Sequence, residues 1–324
     1  MNSPCVSVIM NCRNSAEFLK EAIDSVFAQS FEDWEIIFWD NQSTDASPEI
    51  ARSYCRSPGG SGEEASKQVL RYFRAETSAP LGQARNLAIE KANGRLIAFL
   101  DCDDWWDPDK LSRQVRLFEN NPNLGLACTD TRVVKDGKVL SLLFETAKPA
   151  RGMVFNELIT AGWISMSSAL VSLKALQSLD HWFDPAFNVA EEADLFYRLA
   201  HDWELDYVDA PLTAWRVHES NTTFSKFEQF AVETRQILSK LEKLYPDLAE
   251  AYPGLIPLLE RRASFQTAVA MWRQGKAGDA RKEVRPYLLS STKFMAFWLL
   301  SWLPGSSFDS LARLYLKLPK FLRR

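Results

Sequence analysis

The sequence predicts an α/β fold: a mostly parallel central sheet with helices on both faces, Rossmann-like in its winding, followed by a C-terminal helical extension. Three observations carry this expectation. Short apolar runs alternate with helix-period segments over the first 130 residues. Asn11, Asp40 and Asp101 each stand directly after such a run, which is where open α/β sheets bind ligands. From about Ser225 onward the strand-like runs stop and the pattern is helical.

Each element has its own signal. Val6–Met10 reads as a buried strand, and Asn14 with Glu17 three residues on reads as a capping-box start. Leu19, Ala22, Ile23, Val26 and Phe27 then recur at helical spacing. Glu35–Trp39 is the second strand, closed by Asp40, and Ser47-Pro48 opens a helix with proline at its tolerated first position. The Gly/Ser-rich Ser57–Ser66 reads as a surface loop and Val69–Arg74 as the third strand. Leu81–Asn93 is a helix stopped by Gly94, and Leu96–Leu100 is a fourth strand running into Asp101. Asp107-Pro108 caps a helix to about Glu119, and Leu124–Thr129 is the fifth strand. Beyond residue 130 the rhythm changes. Asp136-Gly137 signals a hairpin between Arg132–Val134 and Val139–Phe144. A helix near Met153–Thr160, a strand near Ser168–Val171, a helix over Asn188–His201 and a strand at Leu205–Val208 follow. The expected division is an α/β unit over residues 1–224 and a helical extension over 225–324.

Composition narrows the classes. With 46% hydrophobic and 25% charged residues the chain has a globular balance, and a net charge of -4 gives no reason to expect a nucleic-acid partner. Cys5, Cys12, Cys55, Cys102 and Cys128 show no C-x-x-C pair and no accompanying histidine cluster, so they read as reduced thiols of a cytoplasmic protein. No basic residue precedes the first apolar run, which argues against a signal peptide. No stretch reaches the roughly 18 apolar residues of a membrane span.

The chemistry concentrates in Asp101-Cys102-Asp103-Asp104. Three carboxylates within four residues repel one another unless a cation sits among them. Mg²⁺ or Mn²⁺ takes oxygen ligands and commonly bridges one or two carboxylates to substrate phosphates. The plainer reading is a solvated acidic loop with a helix cap. Placement directly after a buried strand, beside Trp105-Trp106, favours the metal.

Together, Val6–Asn14, Trp34–Asp45 and Phe99–Trp106 resemble the family 2 glycosyltransferases of the glycosyltransferase-A fold, over roughly residues 4–224. The resemblance implies an inverting enzyme that moves a sugar from a nucleoside-diphosphate sugar, UDP-sugar favoured, to a hydroxyl acceptor, a lipid-linked or cell-surface glycan. It implies Mn²⁺ or Mg²⁺ as cofactor, with Asp103 as the first metal ligand. Asp101 contacts the donor's ribose or sugar, and Asp104 shares or replaces either role. Asp40 accepts a hydrogen bond from the base, an acceptor role that an ionised carboxylate suits. Asn11 and Arg13 line base and ribose; many relatives carry an aromatic residue where Arg13 stands. Arg85 lies near the diphosphate, Arg216 neutralises it, and His218 completes the metal shell or contacts phosphate. Trp163, Ser167 and Ser168 line the acceptor pocket.

Ala190–Leu199 likewise resembles the family's acidic motif on a helix near the acceptor, which implies that the catalytic base is one of Glu191, Glu192 and Asp194. Glu192 shares a helix face with Phe196 and Leu199 and matches the resemblance's catalytic position, where relatives usually have aspartate. Glu191 is the reserve. Asp194, four residues before Arg198, reads either as a third candidate or as half of a surface ion pair.

At the C-terminus, Phe294–Leu303 is too short to span a bilayer. Leu311 to Arg324 carries Arg313, Lys317, Lys320, Arg323 and Arg324 and no acid. It reads either as an interfacial segment on the inner face of the plasma membrane or as a helix packed on the catalytic domain or a homodimer partner. Two other classes compete for the whole: a nucleotidyltransferase, against which the first loop's lack of glycine speaks, and a non-catalytic nucleotide-sugar-binding protein.

Overall fold

The computed structural model describes residues 3–55, 68–145, 148–161, 164–218, 221 and 227–305. The Ser57–Ser66 loop, Trp163 and the basic Leu311–Arg324 segment lie outside the described residues. The chain divides into two compact units, Met1–Glu219 and Ser220–Arg324.

The first unit is built on one nine-stranded sheet. Its strands are β1 (Val6–Cys12), β2 (Trp34–Asp40), β3 (Gln68–Arg74), β4 (Leu96–Phe99), β5 (Trp105–Trp106), β6 (Leu124–Lys135), β7 (Lys138–Leu142), β8 (Leu170–Ser172) and β9 (Glu204–Arg216). They lie in the order β3-β2-β1-β4-β8-β6-β9-β5, with β7 paired to β6. The strands β3, β2, β1 and β4 run parallel. β8 is antiparallel to both β4 and β6, while β6 and β9 are parallel. The sheet is therefore mixed beyond β4: β8 reverses the direction, and β5 and β7 run against their neighbours.

Alternation along the strands sorts the core into two layers. Val6, Val8, Met10, Ile36 and Phe38 pack on one face with Leu19, Ile23 and Val26 of α1 (Ala16–Phe27), Ala51 of α2 (Ser47–Ser53) and Leu111 and Val115 of α4 (Lys110–Asn120). Ile9, Ile37, Trp39 and Phe99 pack on the other with Ala84 and Ala88 of α3 (Leu81–Ile89), Leu158 of α5 (Phe155–Ala161), Ala175 of α6 (Leu173–Gln177) and Leu195 and Leu199 of α7 (Glu191–Asp202).

Three local expectations are corrected. The Asn14/Glu17 capping box does not form: Asn14 takes a left-handed φ of 57°, and the start of α1 is capped from elsewhere. Asp45 Oδ2 accepts the Ala16 N–H at 3.0 Å and Ser47 Oγ accepts the Ser15 N–H at 3.0 Å. Gly94 does not end the third helix, which stops at Ile89. Its lack of a side chain serves a close approach, since a Cβ there would sit 2.5 Å from the Ser7 backbone nitrogen. The final strand runs from Glu204 to Arg216 rather than ending at Val208, because shifts in register let it follow the long β6 as far as Val134. The hairpin stands where the sequence placed it, with Asp136 and Gly137 at φ of 50° and 71°, the positive values a two-residue primed turn requires.

The second unit is helical: α8 (Phe227–Leu244), α9 (Leu248–Ala251), α10 (Leu255–Arg273), α11 (Ala277–Val284) and α12 (Thr292–Leu300). Trp272, Val284, Phe294 and Phe297 share its core. Arg235 ties α8 to its neighbours, donating to Thr267 Oγ1 at 2.7 Å and Glu283 Oε1 at 2.7 Å. Among the described residues no helix is long and apolar enough to cross a membrane.

Candidate active site

Three parallel strands deliver polar groups to one edge: β1 ends in Asn11-Cys12, β2 in Asp40, and β4 runs on into Asp101. The acidic loop after β4 is held from below by Ser167. Its Oγ accepts the Asp101 N–H at 3.1 Å and donates to Asp104 Oδ2 at 2.5 Å, while the Trp106 indole donates to the Ser167 carbonyl at 2.7 Å. Sequence reasoning put Ser167 on the acceptor side, and its role as a clamp has no signal short of the three-dimensional contact. Beneath Trp106 the fully buried Lys110 ammonium lies 4.0 Å from the indole centroid and donates to Gln114 Oε1 at 2.7 Å. Burial pushes that lysine far below its usual pKa.

The three aspartates separate in role. Asp104 is 3% exposed. Its Oδ1 also accepts the Arg216 backbone N–H at 3.0 Å, so it fastens the acidic loop to the end of β9. Burial first, and then the Asp103 and Asp101 charges, raise its pKa far above the usual carboxylate range. Asp104 is thus a buried anchor, and the metal-ligand expectation for it is corrected. Asp103 and Asp101 remain accessible. Asp103 Oδ2 lies 2.9 Å from His218 Nε2, with the two side chains 26% and 21% exposed. Burial and Asp101 raise the Asp103 pKa, and His218 opposes them. Asp101 is 41% exposed at its side chain and bonds Arg85 at 3.0 Å.

The two arginines expected near the diphosphate are each held by protein groups. Arg85 is buried and bridges two carboxylates, Asp101 at 3.0 Å and Glu191 at 2.9 Å, with its guanidinium 5.4 Å from the Phe183 ring centroid. It is a strut between the acidic loop and α7. Arg216 lies between the rings of Phe18 and Trp105, at 4.7 and 4.5 Å from their centroids. Its Nε donates to the Asp103 carbonyl at 2.9 Å and its Nη2 to Glu21 at 2.5 Å. Arg13 is exposed at the first loop.

Asp40 is fully buried, with Oδ1 accepting the Ser43 N–H at 2.8 Å and Oδ2 accepting the Tyr72 hydroxyl at 2.6 Å. Arg74 adds an ion pair at 3.3 Å. Burial and the Asp40 acceptor push the Tyr72 phenol up to about 12. Both oxygens of the Asp40 carboxylate are thus engaged, by Ser43 on one side and by Tyr72 and Arg74 on the other. Both β3 residues lie two apart on one strand face, a spacing that strand alternation makes readable. Asn11 is the opposite case: its Nδ2 and Oδ1 are both shielded from solvent and have no hydrogen-bond partner among the described residues.

On α7 the three acids also part. Glu191 is 2% exposed and engaged by Arg85. Asp194 is buried against Arg198, whose Nε and Nη2 reach its Oδ2 at 3.0 and 2.7 Å. Arg198 in turn holds the His181 carbonyl at 2.7 Å. Asp194 is thus an interior brace; the ion pair expected on the surface is inside, and its carboxylate is committed. Glu192 is partly exposed in the first turn of the helix. Burial and the adjacent Glu191 raise its pKa to about 8 against the opposing pull of Arg85. Among the described residues His181, Asp184 and Asp194 also bring ligand atoms within 4.8 Å of one another, but Arg198 already occupies the Asp194 carboxylate there.

Residues 7–166 match the profile of glycosyl transferase family 2. An uncharacterized glycosyltransferase of Rickettsia felis is 28% identical over 254 residues, covering 78% of this chain and 40% of that protein. The chain thus spans about two fifths of that relative's length. Among solved structures, Staphylococcus aureus TarS 1-349 in complex with UDP-GlcNAc aligns with a TM-score of 0.60 at 16% identity, covering 94% of this chain and 91% of that one. The mannosyltransferase PcManGT of Pyrobaculum calidifontis, in complex with GDP-Man and Mn²⁺, aligns at 0.59 and 15%, covering 100% and 83%. These likenesses fix the fold as glycosyltransferase-A. Over residues 7–166 the chain is a family 2 glycosyltransferase.

Proposed function

We propose that this chain is an inverting glycosyltransferase that moves a sugar from a nucleoside-diphosphate sugar, UDP-sugar favoured, to a hydroxyl of a lipid-linked or cell-surface glycan in the cytoplasm. One observation carries the reading: Asp101, Arg85 and Glu191 form a continuous bonded chain that ends beside Glu192, the carboxyl whose pKa is raised to about 8. A general base works best with a pKa near the operating pH. Glu192 takes the acceptor hydroxyl's proton as that oxygen bonds to the anomeric carbon and the bond to the diphosphate breaks.

The donor side follows from the same geometry. The Asn11 carboxamide has a donor and an acceptor end without partners among the described residues, which suits the N–H and C=O pair of a uracil edge. The Asp103 carboxylate and the His218 imidazole, 2.9 Å apart and both partly exposed, fit a divalent cation, with Asp101 as a further oxygen donor. An imidazole in the set suits Mn²⁺ better than Mg²⁺. When bound, the ion supplies Lewis-acid stabilisation of the departing diphosphate. The TarS and PcManGT complexes, with UDP-GlcNAc and with GDP-Man and Mn²⁺, support this class of donor and metal.

The test is thermal stabilisation by a panel of nucleotide sugars with Mn²⁺, followed by assignment of the product's anomeric configuration with the donor that stabilises most. Chelation is expected to abolish turnover, and Mn²⁺ to restore it more fully than Mg²⁺. Asp103→Asn is expected to lose metal-dependent donor hydrolysis. Donor binding without turnover on every acceptor would favour a non-catalytic binder.

A further inference from the structure

The first two turns of α1 carry two side chains that the core beneath the helix does not use. Leu19, Ala22, Ile23 and Val26 are its buried residues, while Phe18 is half-buried and Glu21 is 55% exposed at its side chain. Three residues apart, Phe18 and Glu21 share a helix face, and both meet the end of β9. Their platform is fixed from the segment after β2. Asp45 and Ser47 cap the helix start, and Asn14 Oδ1 accepts the Thr44 N–H at 2.8 Å.

Against this platform lies the tail of β9. The Val217 N–H donates to the Val134 carbonyl at 2.7 Å, which carries the pairing with β6 one residue past Arg216. The Arg216 guanidinium stands 4.7 Å from the Phe18 centroid and bonds Glu21. The His218 imidazole meets the same ring, with centroids 5.1 Å apart and planes 33° from parallel. Its Nε2 lies 2.9 Å from Asp103 Oδ2. Two neighbouring ligands of an octahedral ion with bonds of about 2.1 Å are about 3 Å apart, so this pair has the span that one cation bridges. An imidazole coordinates in the plane of its ring. The torsion that turns that ring is broad, and rotation about it swings Nε2 off the cation. An aromatic face in contact narrows the torsion.

We infer that Phe18 is a positioning residue for the metal: its ring holds the His218 imidazole in the plane that aims Nε2 at a cation beside Asp103. The inference rests on the reading of Asp103 and His218 as ligands under the proposed function. Its consequence is selectivity. Carboxylate oxygens serve Mg²⁺ and Mn²⁺ alike, whereas an imidazole suits Mn²⁺. A ring on α1, which touches neither donor nor ion, thereby sets how strongly the site prefers Mn²⁺. Glu21 is the internal contrast: it bonds the Arg216 guanidinium on the same helix face, so it anchors the tail without setting the plane of the imidazole.

The test is binding of Mn²⁺ to the full chain by electron paramagnetic resonance, alone and with UDP, and of Mg²⁺ by competition. Phe18→Leu keeps an apolar side chain and loses the ring face. It is expected to weaken Mn²⁺ about two- to tenfold, the worth of one aromatic pair, and to weaken Mg²⁺ less than about twofold. The ratio of the two affinities is read on folded protein, so a general loss of stability does not move it. Phe18→Leu added to His218→Ala is expected to change nothing further, since the ring acts through the imidazole. Glu21→Gln loosens Arg216 and is expected to keep the native ratio. An unchanged ratio in Phe18→Leu, an additive double variant, or a ratio that falls as far in Glu21→Gln overturns the role of Phe18 while the metal reading stands. Mn²⁺ binding that survives both His218→Ala and Asp103→Asn, or no Mn²⁺ binding by the native chain, overturns the ligand reading and this inference with it.

Discussion

Replacing Glu192 with glutamine tests the base directly. The substitution keeps shape and removes the proton acceptor. With its pKa raised to about 8, Glu192 is roughly one-tenth ionised at pH 7 and roughly nine-tenths at pH 9, so kcat/KM of the native chain is expected to rise about tenfold across that interval. Glu192→Gln is expected to fall by about 10²–10⁴-fold and to lose the rise. Stability supplies an independent sign. A carboxyl whose folded pKa lies above its unfolded value binds more protons when folded, so its ionisation costs stability as pH climbs from the unfolded towards the folded pKa. The ordinary glutamate value is 4.5 and the folded value about 8, which sets that window. The glutamine variant, which has no charge to bury beside Glu191, is expected to melt higher than the native chain at pH 9 and close to it at pH 4. The assay is diphosphate release across the pH range, with thermal melts of the same samples. Parallel pH profiles for the two proteins, or a variant within a few-fold of native activity, would refute the assignment. If Glu191→Gln abolished turnover at every pH while Glu192→Gln retained it, the base would be Glu191.

Other outcomes follow from single contacts. Ser167→Ala removes a hydroxyl that bonds both Asp101 and Asp104; a loss of about 2–4 kcal/mol in chemical denaturation is expected, with weaker donor binding by titration. Asn11→Ala removes an amide with no partner among the described residues, so nucleotide affinity measured calorimetrically is expected to fall about tenfold while the melting temperature hardly moves. Asp194→Asn leaves buried Arg198 without its counter-charge, and denaturation is expected to show a cost of about 3–5 kcal/mol, with the pH profile of the folded enzyme unchanged.

The parallel half of the sheet was legible because its strands are short and mostly apolar and helices alternate with them. β8 was legible as a strand but not in direction, since a run such as Leu170–Ser172 carries no mark of whether it pairs parallel or antiparallel. Trp105-Trp106 was read as aromatic neighbours of the acidic loop, yet it is a strand paired with β9. Two residues carry no periodicity. Residue chemistry also grouped the acids better than it told their surroundings apart. Asp101, Asp103 and Asp104 look alike in sequence; only Ser167 and the Arg216 backbone, reached across more than 60 and 110 residues, separate the buried anchor from the two accessible acids. Asp194 likewise shows its i+4 arginine in sequence, but nothing there says that the pair is enclosed.

Arg85 has a consequence for how such a chain can change. A guanidinium is a flat fork of fixed width, and here one tine holds Asp101 while another holds Glu191 on α7. On the proposed function, the separation between the departing and the attacking groups is thereby gauged by a single guanidinium. Loops on either flank are free to vary in length and composition, and so to alter which sugar enters and which hydroxyl receives it, without resetting that separation. A lysine at the same place is a point charge on a flexible stem and would measure nothing.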